Sequence, residues 1–290
     1  MQLVTWNTQG LEYSDAGERA ARIAQTIDAL ADCDVLCLQE IVNEGSAAAD
    51  AQDQLSRLRQ LLPQWQIFFG AAVDRWTQGH RQQWGNLIAT RLSVLNVQHY
   101  PLPYPIDQSA QSTPRMATAV TVQDPALGPV RIITTHLELH SLRQRLSQAH
   151  YLRRLHFESL SQYYAPGMEA QAVAGGAATS QAPEHTLSGT TPHAVLCGDF
   201  SFDPEGVEYA AMTSEAAALD CLEAGWPEPV VGARWNDAWQ LLHPGQRQHA
   251  GAQRDFVWVS DGLRTQVRDW VAGSPRPDDH RPPVRVLIGA

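Results

Sequence analysis

Short apolar runs of strand length recur along the whole chain, interrupted by a few stretches at helical spacing. Gln2–Trp6 (QLVTW) predicts a strand, and Asp34–Leu38 (DVLCL) predicts a buried one that delivers Gln39 and Glu40 to its carboxyl end. Further strands are predicted at 66–70, 87–90, 117–122, 130–135, 193–197, 256–259 and 284–288. Several of these lie too close together for helical crossovers, so hairpins and antiparallel pairing are expected. A helix is predicted from Asp15, where Asp15 and Glu18 form a capping box ahead of Ala20, Ile23, Ile27 and Leu30. Leu55, Leu58, Leu61 and Leu62 mark a second helix, ended by Pro63. Ser141 with Gln144 opens a third, which carries Leu142, Leu146, Leu152, Leu155 and Leu160 on one side. Arg143, Arg145, Arg153 and Arg154 fall on its other side and read as a solvated face.

Residues 165–191 break this rhythm: they are rich in Ala, Gly, Ser, Thr and Pro and have little to bury, which predicts a flexible insertion. Strand patterns resume after it, so it interrupts one sheet system and residues 1–290 form a single domain. Many strands and few helices favour two packed sheets flanked by helices, an α/β (α+β) architecture.

Composition narrows the class. The 290 residues are 43% hydrophobic and 18% charged, with 9 Trp, which excludes a disordered or fibrous chain. No apolar run is long enough to span a bilayer, and the start MQLVTWNTQG lacks a basic segment and a long apolar one; a cytoplasmic protein with no membrane contact is expected. Of the four cysteines, Cys33, Cys37 and Cys197 sit in or beside apolar runs, as buried thiols do, and the spacing fits neither a disulfide framework nor a zinc site. All 21 basic residues are Arg, and the 31 acidic ones leave a net charge of −10. There is no broad basic footprint for a long polynucleotide, although a local Arg or a metal ion can still hold one phosphate.

Candidate chemistry lies where polar residues end apolar strands. Asn7 follows LVTW, Glu40 follows DVLCLQ, His136 follows RIITT, Asp199 follows AVLCG, and Asp279 with His280 precedes the last strand. Each alone has an ordinary reading, such as a turn, a solvated carboxylate or a satisfied histidine. Jointly they describe a rim of strand ends where an active site is built. Asn7, Glu40 and Asp279 offer the hard oxygens that Mg²⁺ prefers. His136, His280 and Asp199 would surround the scissile phosphate as acid, base and hydrogen-bond donors. Asp255, which opens the strand FVWV, is placed to fix the tautomer of one imidazole.

In order along the chain, TWNTQG, LQEI, GNLIATR, PRMATAV, THLELHS, CGDFSF, NDAWQLLHPG, RDFVWVS and DDHRPP resemble the motifs of the endonuclease/exonuclease/phosphatase superfamily, with its deoxyribonuclease I-like fold. The resemblance covers the whole chain. It implies a four-layer α/β/β/α sandwich of two mixed β-sheets and cleavage of phosphoester bonds with Mg²⁺ or Mn²⁺. Residue by residue, it implies Glu40 as principal metal ligand with Asn7 and Asp279 beside it. It further implies that His280 polarises the phosphate or activates water with Asp255 orienting it, that His136 serves the leaving-group side or binds phosphate, and that Asp199 positions the attacking water. The family's GDFN reads GDFS here, so Ser201 stands where an asparagine amide binds phosphate, and Asp278 replaces a serine in DDH. Arg115 in PRMATAV and Asn86 in GNLIATR are further candidates for phosphate contact, Asp237 for bracing a loop, and Trp76, Trp84 and Trp226 for lining a groove.

The expected activity is hydrolysis of phosphodiesters, extending to phosphomonoesters, in nucleic acid or small molecules, without an obligate protein partner. A catalytically weakened binder of phosphorylated ligands or proteins, signalled by Ser201, is the alternative, and a zinc hydrolase using the 11 histidines is a third.

Overall fold

The computed structural model describes residues 1–8, 33–44, 54–77, 79–164, 189–214, 233–246, 254–273 and 282–289. Two six-stranded sheets pack face to face. The first has strands β1 (Gln2–Asn7), β2 (Val35–Glu44), β3 (Gln66–Thr77), β4 (His80–Thr90), β11 (Val267–Ala272) and β12 (Val284–Ile288), in the order β11-β12-β1-β2-β4-β3. The second has β5 (Ser93–Pro101), β6 (Met116–Asp124), β7 (Gly128–His136), β8 (Ala194–Asp199), β9 (Asn236–Asp237) and β10 (Asp255–Val259), in the order β5-β6-β7-β8-β10-β9. Each sheet is mixed in the same way: one central parallel pair, β1 with β2 and β7 with β8, is flanked by antiparallel neighbours.

Period-two alternation sorts the side chains into layers. Leu3, Val35, Cys37, Val130, Ile132, Val195, Cys197, Val257 and Val286 fill the space between the sheets. The alternate residues Val4, Leu36 and Leu38 face outward and meet Leu55 and Leu58 of helix α1 (Gln54–Leu61). On the far side Ala119, Ile133, Leu196, Phe256 and Trp258 meet Leu152 and Leu155 of α2 (Leu142–Tyr164), and Phe200, Met212 and Trp235 complete that layer. Helix α3 (Val207–Thr213) packs beside α2, and α4 (Ala238–Leu242) follows β9. The expected two-sheet sandwich flanked by helices is what the chain adopts.

The predicted strands are all present, most running longer and 284–288 unchanged, and β3–β4 and β6–β7 are the hairpins that the close spacing required. Strands β5, β9 and β11 were not anticipated. Ser141 caps α2 as expected, its Oγ accepting from the Gln144 N–H at 3.1 Å, but the Gln144 amide turns to Pro105 O instead of back to the cap. Two readings of α2 are corrected. Arg153 is 2% exposed and donates to the carbonyls of Ala211 and Ser214, because α3 and its C-terminal turn cover that side of the helix. Leu142 is half exposed and not part of the buried face. The helix predicted from Asp15 lies outside the described residues, as do residues 165–188 of the insertion; Thr191 at its end is buried and donates to Pro129 O. Cys33, Cys37 and Cys197 are buried free thiols, and burial pushes the Cys33 thiol up to about 12.

Asp237, expected to brace a loop, instead caps a helix. Its carboxylate caps α4 by accepting from the Trp239 N–H at 2.9 Å and takes the Tyr209 hydroxyl at 3.2 Å. Burial raises this carboxyl from 3.8 to about 6 against those hydrogen bonds. Between those two values the folded chain holds a proton that the unfolded chain has released, so stability falls as pH climbs through that window. An Asp237→Asn variant keeps the capping oxygen without the charge. Denaturant titrations should show it more stable than wild type at pH 8, by roughly 2 kcal/mol, with the gap closing by pH 4. A gap of constant size would show that the buried charge costs nothing.

Candidate active site

The carboxyl ends of β1, β7 and β8, the middle of β2 at Glu40 and the first residue of β10 meet at one rim of the sandwich. Strand parity explains which side chains enter it. Asn7 continues the inward series Leu3 and Thr5, His136 continues Ile132 and Thr134, and Asp199 continues Val195 and Cys197. Glu40 would point outward by parity, as Leu36 and Leu38 do. A register shift between Leu38 and Ile41 and a left-handed backbone at Glu40 (φ 62°) turn it inward, while Ile41 resumes the outer layer.

The four side chains converge. The Asn7 Nδ2 donates to Glu40 Oε1 at 3.0 Å and to Asp199 Oδ2 at 2.8 Å, linking the two sheets. His136 lies with Nδ1 3.3 Å from Glu40 Oε1 and Nε2 3.6 Å from Asp199 Oδ2. Asn7, His136 and Asp199 are buried, whereas the Glu40 side chain keeps 21% of its surface open to solvent. Asp255 is the direct antiparallel partner of Asp199 and is also buried. Ser201, in a left-handed conformation (φ 53°), folds back on Asp199: its N–H and its Oγ–H both reach Oδ1, at 2.9 and 3.2 Å.

Arg115 reaches the site by way of Trp84. Its guanidinium lies 5.1 Å from the Trp84 ring centre, and that ring packs 6.0 Å from the His136 ring. Nε pairs with Glu138 at 3.3 Å, while Nη1 has no hydrogen-bond partner among the described residues. Burial pulls the guanidinium below its ordinary value, and the charges of Glu138, Glu40 and Asp199 pull it back. Asn86 sits deeper and donates to Met116 O at 2.8 Å, joining β4 to β6. Trp76 stands 76% exposed near the tip of the β3–β4 hairpin. Asp278, Asp279, His280 and Trp226 lie outside the described residues.

Three residues support the site in roles that the sequence pattern does not announce. Glu138 is completely buried beyond the end of β7 and receives the N–H groups of Thr113 and His140 as well as Arg115. Burial works to raise its carboxyl, but those donors outweigh it and hold the group below the ordinary carboxylate range. A carboxylate inside the apolar alternation of THLELH was the available signal. Gln39 spans the sheets, its Nε2 donating to Thr5 Oγ1 at 3.1 Å and Thr134 Oγ1 at 2.8 Å. Gln148 of α2 accepts the Glu138 N–H at 2.9 Å, coupling the helix to the rim.

Among the described residues no three His, Cys, Asp or Glu side chains group as a ready-made cation cage. The donor chemistry nevertheless suits a hard cation. Two carboxylates face the same amide, and a half-turn of the Asn7 amide would present Oδ1 to the gap they share. Such a cation would relieve the repulsion between Glu40 and Asp199.

A two-sheet sandwich with carboxylates, amides and an imidazole gathered at one rim is the architecture of the deoxyribonuclease I-like phosphoesterases. The chain belongs to the Endonuclease/Exonuclease/phosphatase family, whose model matches residues 4–275. Solved structures of similar fold cover the whole chain at low identity. One is a mannosyl-6-phosphatase of Bacteroides thetaiotaomicron, 16% identical, with TM-score 0.63 and all of both chains aligned. Another is an endonuclease/exonuclease/phosphatase of Beutenbergia cavernae, 18% identical, with TM-score 0.62 over 100% of this chain and 72% of that one. A third is D. rerio TDP2 complexed with a single-strand DNA product, 14% identical, with TM-score 0.56 over 100% of this chain and 99% of that one. Among curated proteins none is significantly similar in sequence.

Proposed function

We propose that this chain hydrolyses phosphoester bonds, phosphodiesters foremost, with Mg²⁺ or Mn²⁺ held at Glu40, Asn7 and Asp279. The observation that carries the reading is the shared hydrogen-bonding of Asn7 to Glu40 and Asp199, with His136 within 3.6 Å of both carboxylates. The cation, when bound, supplies positive charge against the negative charge that develops on the phosphate. Asp199 accepts a proton from, and aims, the attacking water, and the Ser201 N–H and hydroxyl hold its other oxygen so that it cannot turn away. His280, oriented by Asp255, binds a phosphate oxygen or shares the work on the water; His280 and Asp279 enter on the sequence alone. His136 stands on the leaving-group side, kept in place by Trp84. The Nη1 of Arg115 is buried and lacks a partner among the described residues, so a small shift of the guanidinium toward the rim would bring it to a phosphate oxygen, while Asn86 ties β4 to β6 nearby.

Both nucleic acid and small phosphoesters fit this reading. The charge of −10 and the absence of any Lys argue against salt-driven grip on a long polymer. The test is a panel of a generic phosphodiester, a phosphomonoester and short oligonucleotides, each with Mg²⁺, Mn²⁺ or a chelator. Chelator-sensitive turnover that Asp199→Ala and His280→Ala both abolish is expected. Retention of activity in those variants would overturn the assignments, and tight binding without turnover would favour the phospholigand-binding alternative.

Ser201 allows a gain-of-function test. Asparagine tolerates the left-handed backbone better than serine, and its amide reaches farther toward a phosphate. Since one transition-state donor is worth ~10²-fold in rate, Ser201→Asn should raise kcat about tenfold or more with little change in KM. An unchanged kcat would show that Ser201 acts only by holding Asp199.

A further inference from the structure

On the outer face of the second sheet, under the C-terminal half of α2, the apolar layer gives way to a polar cavity of about 180 Å³. Arg131 of β7 lines it. By strand parity it belongs with Ile133, facing α2, and it is only 7% exposed. It precedes His136 by five residues, so it sits about 17 Å farther down the strand and on the opposite face of the sheet.

This guanidinium is poorly matched by the protein. Nη2 donates to the Tyr100 hydroxyl at 2.7 Å, but its approach to Gln98 Oε1 (3.5 Å) and that of Nη1 to Leu155 O (3.4 Å) are long. Nε has no partner among the described residues. Of five N–H donors, one is well satisfied, and all the contacts are to neutral groups. Glu158 in the cavity wall pairs with Arg154 instead, at 2.9 Å. The Glu158 carboxylate acts on Arg131 only from a distance and does not offset the burial, which still pulls the guanidinium below its ordinary value. A buried cation without an anion in contact costs several kcal/mol. Asn96, Gln98, Thr121, Ser159, Gln162 and Thr190 surround it with amides and hydroxyls able to donate to an anion. The space holds a tetrahedral oxyanion with a few waters.

We propose that this cavity is a second anion site, separate from the catalytic rim, in which Arg131 binds a small oxyanion of the phosphate kind, free or as the terminal group of a larger ligand. The neutral donors of the wall complete the coordination, and the Glu158 carboxylate, paired with Arg154, acts on Arg131 from a distance and leaves the guanidinium's own contact positions to the anion.

Crystals of the full chain soaked in selenate test it directly through anomalous scattering. A selenium peak within hydrogen-bond distance of the Arg131 guanidinium is expected. It should vanish in Arg131→Gln and also in Ser159→Phe, which fills the cavity and leaves Arg131 in place should the first variant not fold. In solution, without metal, inorganic phosphate should raise the Tm of wild type by several degrees more than that of Ser159→Phe, the difference separating this site from the catalytic one. A cavity holding only water, selenate at the catalytic rim alone, or equal phosphate shifts in the two proteins overturns the proposal. If inorganic phosphate binds weakly and a phosphorylated small molecule tightly, with the same loss in Ser159→Phe, the anion is the terminal group of a larger ligand.

Discussion

Replacing Glu40 by Gly should abolish phosphoester hydrolysis and yet make the metal-free protein more stable. The loss follows from the proposed role. Removing the principal metal ligand forfeits about 4 kcal/mol of charge stabilisation in the transition state, or about 10³ in kcat/KM. The gain follows from the backbone. Glu40 adopts φ 62°, where a side chain crowds its own carbonyl at a cost of about 1–2 kcal/mol, and glycine removes that crowding. Glycine's extra freedom in the unfolded chain gives back about 0.5–1 kcal/mol. Relief of the repulsion between Glu40 and Asp199, both hydrogen-bonded to one Asn7 amide, adds to the gain. The metal-free variant should therefore melt about 2 °C above wild type. Added Mg²⁺ should reverse the order, because binding stabilises only the chain that retains the site. Melting curves of the two proteins with and without Mg²⁺ check this, and a metal-free variant that melts below wild type would show that the contacts to Asn7 and His136 outweigh the strain.

The same residue shows where the sequence stops being readable. DVLCLQE reads as a strand that ends at Glu40, whereas β2 runs on to Glu44; the same strand-end logic singles out Asn7, His136, Asp199 and Asp255, because alternation in a two-sheet sandwich dictates which residues face inward. It does not reveal that Glu40 needs a register shift to join them. Nothing in the types Glu or Ser signals the left-handed backbone found at Glu40 and Ser201, so both bends escaped notice. The strands that were missed share a physical cause as well. β5 and β11 lie at sheet edges, where Asn96, Gln98 and Asp269 interrupt the hydrophobic alternation. Glu138 and Arg153 were misjudged or overlooked for the complementary reason. Charge predicts exposure until tertiary structure supplies partners, and those partners, Arg115 for one and the Ala211 and Ser214 carbonyls for the other, come from distant segments.

Gly198→Ala is expected to be a severely damaging single methyl, because it combines a backbone clash with a glycine-only φ. Gly198 sits between Cys197 and the catalytic candidate Asp199, on the parallel seam where β8 pairs with β7 and Asp199 lies level with His136. A Cβ there would stand 1.9 Å from the Thr135 carbonyl oxygen, inside any permissible contact, and the local φ of 136° is itself a glycine conformation. The obstacle is backbone of the central strand, so it cannot swing aside as the end of a flexible side chain would. Relief requires β7 and β8 to separate, which breaks ladder hydrogen bonds and opens the distance between His136 and Asp199. A cost of about 3 kcal/mol or more is expected, with activity falling by at least tenfold in whatever protein still folds. Gly128→Ala supplies the control: its φ of 75° is also left-handed, but nothing lies within 4 Å of the added methyl, so it should cost only about 1 kcal/mol and leave kcat unchanged. If the two variants prove equally mild, the seam between β7 and β8 is looser than the 1.9 Å approach implies, and the alignment of His136 with Asp199 must be enforced elsewhere, by Asn7 and the cross-sheet Gln39.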